Sequence, residues 1–381
     1  MKIAMLGHKA VPSTRGGIET VLTNLCPLLV KYGDEVVCYN RTSDKPEKEF
    51  EKEILNNTYK GVTLKKARTL KARGLSAMLA SFTAAISVSF SDCDIVHFHA
   101  EGPCAAMFFP KLFGKKCVAT VHGLDWQREK WGNGFASKYI MFGEKSLVKY
   151  ADEVIVLSES AKEYFKNTYG RNTVLIPNGI SKPALLGDDI IKERFGLNKN
   201  SYICMVSRLT EEKGAHYLIE AYKRIKTDKK LVICGAASDT DAYVSTLRRL
   251  AGGNENIIFT GFISGDTLAQ IYSNAYLVCQ PSNIEGMSLS LLEALSYSNA
   301  VICSDIPENT AVCGDSAATF KKGDVCDLAD KLSFFINNPS ETEKLKAGSA
   351  EYVLSRFSWK KTAEQTQKLY EKTVKGEKSD V

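Results

Sequence analysis

The sequence contains no run approaching the ~20 apolar residues of a transmembrane helix, and the apolar stretch in its opening MKIAMLGHKA is far shorter than a signal-peptide core. A cytosolic chain is therefore expected. There is no C-x-x-C pair: the eleven cysteines, an odd number, are scattered through apolar, strand-like runs. This spacing argues against zinc sites and disulfide frameworks and points to small reduced core residues. Also missing are a G-x-G-x-x-G fingerprint and a G-x-x-x-x-G-K-[ST] loop, so neither a dinucleotide site nor a P-loop is supported. No basic stripe with interleaved aromatics occurs, and nucleic acid is not an expected partner.

What is present is an ordinary globular composition over 381 residues, 44% hydrophobic and 25% charged, long enough for two domains. The net charge of +6 is uneven: residues 1–180 carry 25 Lys+Arg against 18 Asp+Glu, residues 181–381 carry 25 against 26. Part of the excess lies in LKKARTLKARGLSAML, with Lys65, Lys66, Arg68, Lys71 and Arg73. It reads either as a solvated helix face or as a surface for anionic head groups or a phosphorylated acceptor.

Short β-branched runs alternate with amphipathic segments: KIAMLG, EVVCY, DIVHF, KCVATV, EVIVLS and TVLIP, then YICMVS, LVICG, NIIFTG, AYLVCQ and AVICSD. Strand alternating with helix implies parallel sheets covered on both faces, and two such series imply two doubly wound α/β domains. The break falls at IPNGISKPALLGDDI, where Pro177, Asn178, Gly179 and Pro183 punctuate the chain. We expect domains at 1–180 and 181–355, a final helix over 356–375 and a frayed tail at 376–381.

Ligands of such sheets bind beyond the strands' carboxyl ends. After the first strand, Gly16 and Gly17 precede a helix, where backbone N–H groups can meet an anion or simply form a tight turn. After the second series begins, SRLTEEKG places Arg208 and Lys213 near a helix start, suited to a diphosphate or to pairing with Glu211 and Glu212. In NIEGMSLSLLEALSYS, Ser288 can cap a helix that is apolar nearly all round, yet Glu285 precedes it and Glu293 lies within it. An ionised carboxylate buried there must be paired, protonated or turned to a ligand, and vicinal sugar hydroxyls are one such ligand. His97 and His99 alternate on a strand and share a face, without a third metal ligand nearby. Trp126 and Trp131, with Arg128 and Lys130 between them, can stack on a sugar ring, touch a lipid diphosphate or simply pack.

The E-x7-E of Glu285 and Glu293, together with SRLTEEKG, PNGI, GGIE and TVHGLDW in their expected places, resembles glycosyltransferase family 4 over essentially the whole chain. The stretch HGLDWQREKWG is similar to a bacterial subgroup that builds capsule and exopolysaccharide, a sibling of rhamnosyltransferases. The resemblance implies the GT-B fold, two Rossmann-like domains facing a central cleft, the first on the acceptor side and the second binding the nucleotide sugar. It implies that Glu293 holds the donor ribose and Glu285 the transferred sugar. Arg208 and Lys213 would neutralise the diphosphate, with amides at Gly286, Met287 and Ser288 and with Gly16 and Gly17 across the cleft. His122 would sit near the reacting bond, and Gly261 and Phe262 would line the base pocket. Asp125, Trp126 and Glu101 fall to the acceptor side. The expected activity is retaining transfer from a nucleotide-diphosphate sugar to a saccharide acceptor that is lipid-linked, in surface polysaccharide synthesis. That role would place the protein in the cytoplasm, at the inner face of an anionic membrane. Alternatives are a soluble sugar-phosphate acceptor, a non-catalytic sugar-binding protein or a partner subunit. No aspartate-x-aspartate motif accompanies the site, so neither metal nor cofactor is expected, and SDTD at 238–241 reads as a loop. The final helix is expected to cross back to the first domain.

Overall fold

The computed structural model describes residues 1–69, 75–124, 134–237 and 241–377. The chain forms two compact units, Met1–Gly179 with Ser358–Val381, and Ile180–Phe357. The first unit is built on nine strands: β1 (Lys2–Leu6), β2 (Glu35–Arg41), β3 (Ile54–Leu55), β4 (Thr58–Tyr59), β5 (Val62–Ala67), β6 (Ile95–His99), β7 (Lys116–Val121), β8 (Glu153–Val156) and β9 (Val174–Leu175). Their order is β3-β4-β5-β2-β1-β6-β7-β8-β9. All neighbours are parallel except the β3-β4-β5 edge. The second unit holds β10 (Tyr202–Val206), β11 (Lys230–Cys234), β12 (Ile257–Gly261), β13 (Leu277–Gln280), β14 (Val301–Ser304) and β15 (Ala318–Phe320), ordered β12-β11-β10-β13-β14-β15 and wholly parallel. The strand order reverses at β1/β6 in one sheet and at β10/β13 in the other, and these switch points are where a doubly wound sheet opens a ligand crevice.

The central strands read as continuous apolar runs because both faces are covered. Ile3 to Leu6 and Tyr202 to Met205 are all fully buried, each large side chain contributing roughly 1.5–3 kcal/mol. Ten of the eleven cysteines are buried as free thiols, and only Cys326 is exposed. The helix Trp359–Lys375 belongs to the first unit. Ser358 caps it, and it buries Trp359, Thr362, Ala363, Thr366, Leu369, Tyr370 and Thr373, a stripe at helical spacing.

One local reading is corrected. Lys65 and Lys66 do not lie on a helix but on β5, which pairs with β2 from Val37↔Thr63 to Arg41↔Ala67. Val62 and Ala67 are buried and both lysines exposed; the sheet ladder overrides the modest helical preference of Leu and Lys. Lys71 and Arg73 lie outside the described residues. No described helix is long and apolar enough to cross a membrane.

Candidate active site

In the second unit, the segments leaving β10 and β13 meet at the switch point. The chain leaves β10 through Ser207, Arg208 and Leu209, makes a short 3-10 turn at Glu211–Lys213 and ends it at Gly214, in the left-handed conformation with φ 71°. A Cβ on Gly214 would overlap the carbonyl oxygen of Pro281, the first residue after β13. Glycine is therefore required here both for its dihedral and for the approach of the two loops. The amide of Asn283 donates to the Glu212 carbonyl at 2.8 Å and stitches the loops together.

This stitching puts Lys213 on Glu285. Its ammonium lies 2.7 and 2.6 Å from the two carboxylate oxygens. The carboxylate also accepts from Ser282 Oγ at 2.7 Å and from Gln280 Nε2 at 3.2 Å. Side-chain exposure is 14% for the lysine and 5% for the glutamate, so this pair is shielded, unlike a surface salt bridge. Burial pushes the Glu285 carboxyl up, but the Lys213 charge and the three hydrogen-bonding neighbours outweigh it and hold it below the usual carboxylate range. Arg208, half-buried, stands in the same loop.

After Glu285 come Gly286, Met287 and Ser288. The Ser288 hydroxyl accepts from the Leu291 amide at 3.3 Å and opens the helix Leu289–Ser296. That helix buries Leu291, Leu292, Ala294 and Leu295, leaving Glu293 half-buried on its other side. Among the described residues no cation pairs with Glu293: its Oε2 accepts from Tyr272 Oη at 3.2 Å, and Tyr272 stacks on Tyr297 with ring centroids 5.3 Å apart. Burial drives its carboxyl up to about 7, against the smaller opposite pull of the Tyr272 bond. The two glutamates thus differ sharply, one ionised and neutralised, the other poised near neutrality. Gly261, with φ 71°, ends β12, and Phe262 follows it, 43% exposed at the strand's carboxyl end.

In the first unit, Gly16 caps the helix Gly17–Lys31. The exposed Gly17 has open space where a side chain would be, but Glu19 turns its carboxylate to the Lys9 amide at 2.7 Å and a Cβ on Gly16 would overlap it. His122 lies just past β7, with Nε2 3.0 Å from His99 Nδ1. His97 is engaged through both nitrogens, to Tyr370 Oη at 2.5 Å and Thr120 Oγ1 at 2.7 Å, which leaves it no lone pair for a metal. Among the described residues no group of three or more metal-ligating side chains occurs. Glu101 is fully buried and so does not present its carboxylate at a surface. Asp125 and Trp126 lie outside the described residues, as do Arg128, Lys130, Trp131 and residues 238–240 of the SDTD loop.

Sequence reasoning passed over Gln280 and Ser282, whose signal was two polar residues ending a buried strand. It also passed over Tyr272, His8 and Asn40. His8 Nε2 lies 2.9 Å from Asn40 Oδ1 at the end of β1, and burial pulls its pKa down to about 4.

Residues 15–182 match the family described as Glycosyltransferase Family 4, and residues 188–351 match Glycosyl transferases group 1. The alpha-maltose-1-phosphate synthase of Mycolicibacterium smegmatis is 25% identical over 98% of this chain and 99% of its own length. The capsular polysaccharide biosynthesis glycosyltransferase CapM of Staphylococcus aureus is 25% identical over 68% of this chain and 70% of its own. Among solved structures, Anabaena HepE in complex with UDP-glucose superposes with a TM-score of 0.79 at 17% identity, covering 97% of this chain and 99% of that one. The two sheets have the GT-B architecture, and with both halves matched the chain belongs to the family 4 glycosyltransferases.

Proposed function

We propose that the protein transfers a sugar, with retention of anomeric configuration, from a nucleotide-diphosphate sugar to a hydroxyl of a sugar-phosphate acceptor. The observation that carries the donor reading is the Lys213–Glu285 pair at the β10/β13 switch point, with Arg208 in the loop after β10 and Glu293 on the helix after β13. In this reading Glu293 accepts hydrogen bonds from the ribose hydroxyls, and Glu285 turns to hydroxyls of the transferred sugar. Lys213, Arg208 and the amides of Gly286 to Ser288 meet the diphosphate, while Gly261 and Phe262 border the base. HepE, of the same fold, was solved with UDP-glucose, which makes uridine nucleotides the first donors to try.

The reaction breaks the bond between the anomeric carbon and the diphosphate oxygen. Positive charge builds on the sugar ring and negative charge on the leaving group. Cations and helix amides fixed in advance around that oxygen lower the barrier most at the transition state. The acceptor oxygen attacks from the face the diphosphate leaves, and its proton passes to the departing phosphate oxygen. No protein nucleophile enters, and no metal is assigned a step. His122 is assigned a place near the reacting bond, as the family resemblance implies.

The sugar-phosphate acceptor is preferred because the relative matched over its full length is a synthase of a sugar phosphate. A second reading, a lipid-linked saccharide in capsule synthesis, draws on CapM and on exposed Lys65, Lys66 and Arg68. Among the described residues of the first unit, the most exposed apolar side chains, Phe90 and Leu112 at 72% and 77%, precede β6 and β7 at their amino edge, away from His122. That placement does not help a lipid acceptor reach the site. The test is nucleotide release by the purified protein with each of UDP-glucose, UDP-N-acetylglucosamine, UDP-galactose, GDP-mannose and dTDP-rhamnose, offered a hexose 1-phosphate or a lipid-linked saccharide. Turnover with the first acceptor supports the proposal, turnover with only the second moves it to the capsule reading, and no turnover with any pair refutes both.

A further inference from the structure

His99 is buried and has two nitrogens to satisfy. Nδ1 meets His122 Nε2 at 3.0 Å, whereas Nε2 has no hydrogen-bond partner. Beside it lies a cavity of about 20 Å³, lined by His97, His99, Thr120, Asn178, Thr362 and Thr366 and by apolar side chains. A cavity of this size with several polar groups in its lining has room for one water molecule.

The hydrogen-bond directions around the cavity can be derived by requiring every buried proton to be used. Thr362 Oγ1 donates to the carbonyl of Pro177 at 2.9 Å, and Thr366 Oγ1 donates to that of Thr362 at 2.7 Å. Their hydroxyl protons are committed, so towards the cavity both are acceptors. Tyr370 Oη has His97 Nδ1 as its hydrogen-bond partner, so the phenol donates to it and His97 Nε2–H donates to Thr120 Oγ1. The Thr120 proton is then available to the cavity. A water there donates to Thr362 and Thr366 and accepts from Thr120, which leaves it one lone pair. An N–H on His99 Nε2 completes the set. His99 must then offer a bare Nδ1, and His122 must donate to it from Nε2.

We propose that His99 is a positioning residue that, through this one bound water, holds His122 in the Nε2–H tautomer, with Nδ1 kept as a hydrogen-bond acceptor. The backbone is built to hold His99 still. Ala100, the next residue, has φ 70° and ψ 160°, a region that non-glycine residues enter only at a cost. A Cβ on Gly7, at the end of β1, would overlap the His99 carbonyl oxygen. Burial and the neighbouring imidazoles hold His99 far below the ordinary histidine range, so it stays neutral, with one donor and one acceptor nitrogen. A glycine at its carbonyl, a strained alanine after it and two threonines of the last helix in the same cavity lining thus surround His99.

The inference rests on the role given to His122 above, but its central measurement needs no substrate. With five histidines in the chain, long-range proton–nitrogen spectra of the ¹⁵N-histidine protein, assigned by single replacements, report each tautomer. His99 and His122 should both carry the proton on Nε2; a proton on Nδ1 of either overturns the proposal. His99→Leu removes the acceptor and should give His122 a mixture of tautomers, while His99→Asn, whose side-chain oxygen can accept at the Nδ1 position, should restore the single one. In turnover, kcat should fall at least tenfold in His99→Leu with the donor KM within about threefold, and recover in His99→Asn. Unchanged His122 spectra in His99→Leu sink the inference whatever the activity. Correct tautomers in a wild-type protein that turns over no nucleotide sugar would instead uphold the positioning and overturn the function.

Discussion

Lowering the pH from 8 to 6 should weaken nucleotide-sugar binding about tenfold through Glu293 alone. In the free protein burial raises this carboxyl from 4.5 to about 7. Two ribose hydroxyls can both donate to it only when it is ionised, so binding lowers its pKa and expels a proton. The apparent Kd then scales as one plus the ratio of protonated to ionised carboxyl, about 1.1 at pH 8, about 2 at pH 7 and about 11 at pH 6. Titration calorimetry with a nucleotide sugar checks this, because its diphosphate has no proton to lose in that window, and buffers of different ionisation enthalpy count the proton released. Glu293→Gln should abolish the pH dependence together with most of the affinity. Tyr272→Phe removes the one bond that opposes the upward shift, so its midpoint should move to higher pH. Stability must follow the opposite course. A folded pKa above the unfolded one gives stability that is complete below about pH 4.5 and is lost as pH rises through 7, by at most ~3 kcal/mol. At pH 8 the free Glu293→Gln protein should therefore be the more stable one in urea. A wild-type Kd constant from pH 6 to 8, or a slope that survives in Glu293→Gln, refutes the argument.

Glu285→Gln should separate sugar from diphosphate. Lys213 no longer has to be drawn from a carboxylate at 2.6 Å, so UDP alone should bind about fivefold more tightly, ~1 kcal/mol, while transfer falls at least a hundredfold. Loss of the Glu285 charge from this shielded pair should cost the free protein up to about 3 kcal/mol in urea. Gly214→Ala should be worse for the fold than for any single contact. It strains a φ of 71° and drives a methyl into the Pro281 carbonyl, so a loss of at least ~2 kcal/mol is expected, with nucleotide affinity falling as the two loops part. Turnover should be indifferent to EDTA and to added Mg²⁺, since cations and amides of the chain are assigned the leaving group's charge; a loss restored by metal would refute that assignment.

What could be read without coordinates was set by where each residue finds its partner. The central strands announce themselves because both faces are buried and the apolar run is unbroken, as in Tyr202 to Met205. β5 does not, because Val62–Ala67 exposes two lysines and owes its strand to pairing with β2. Glu285 and Glu293 stand out as carboxylates in apolar company, yet what neutralises them is not local. Glu285 has Arg208, Lys213 and Lys223 upstream to choose among. Lys213 is selected by a three-residue turn, by the left-handed Gly214 that ends it and by the crossing that brings β10 beside β13, 72 positions away in sequence. Glu293 meets Tyr272, 21 positions before it, and burial is what moves its pKa. The histidines follow the same rule. Alternation on β6 puts His97 and His99 on one face, as the sequence requires, but the metal that this pattern suggests has no place there. Tyr370, 273 positions on, and Thr120 take both nitrogens of His97, and His122 takes the inner nitrogen of His99. A side chain's chemistry is local in sequence, whereas its charge state is decided by whichever strand or helix the topology places against it.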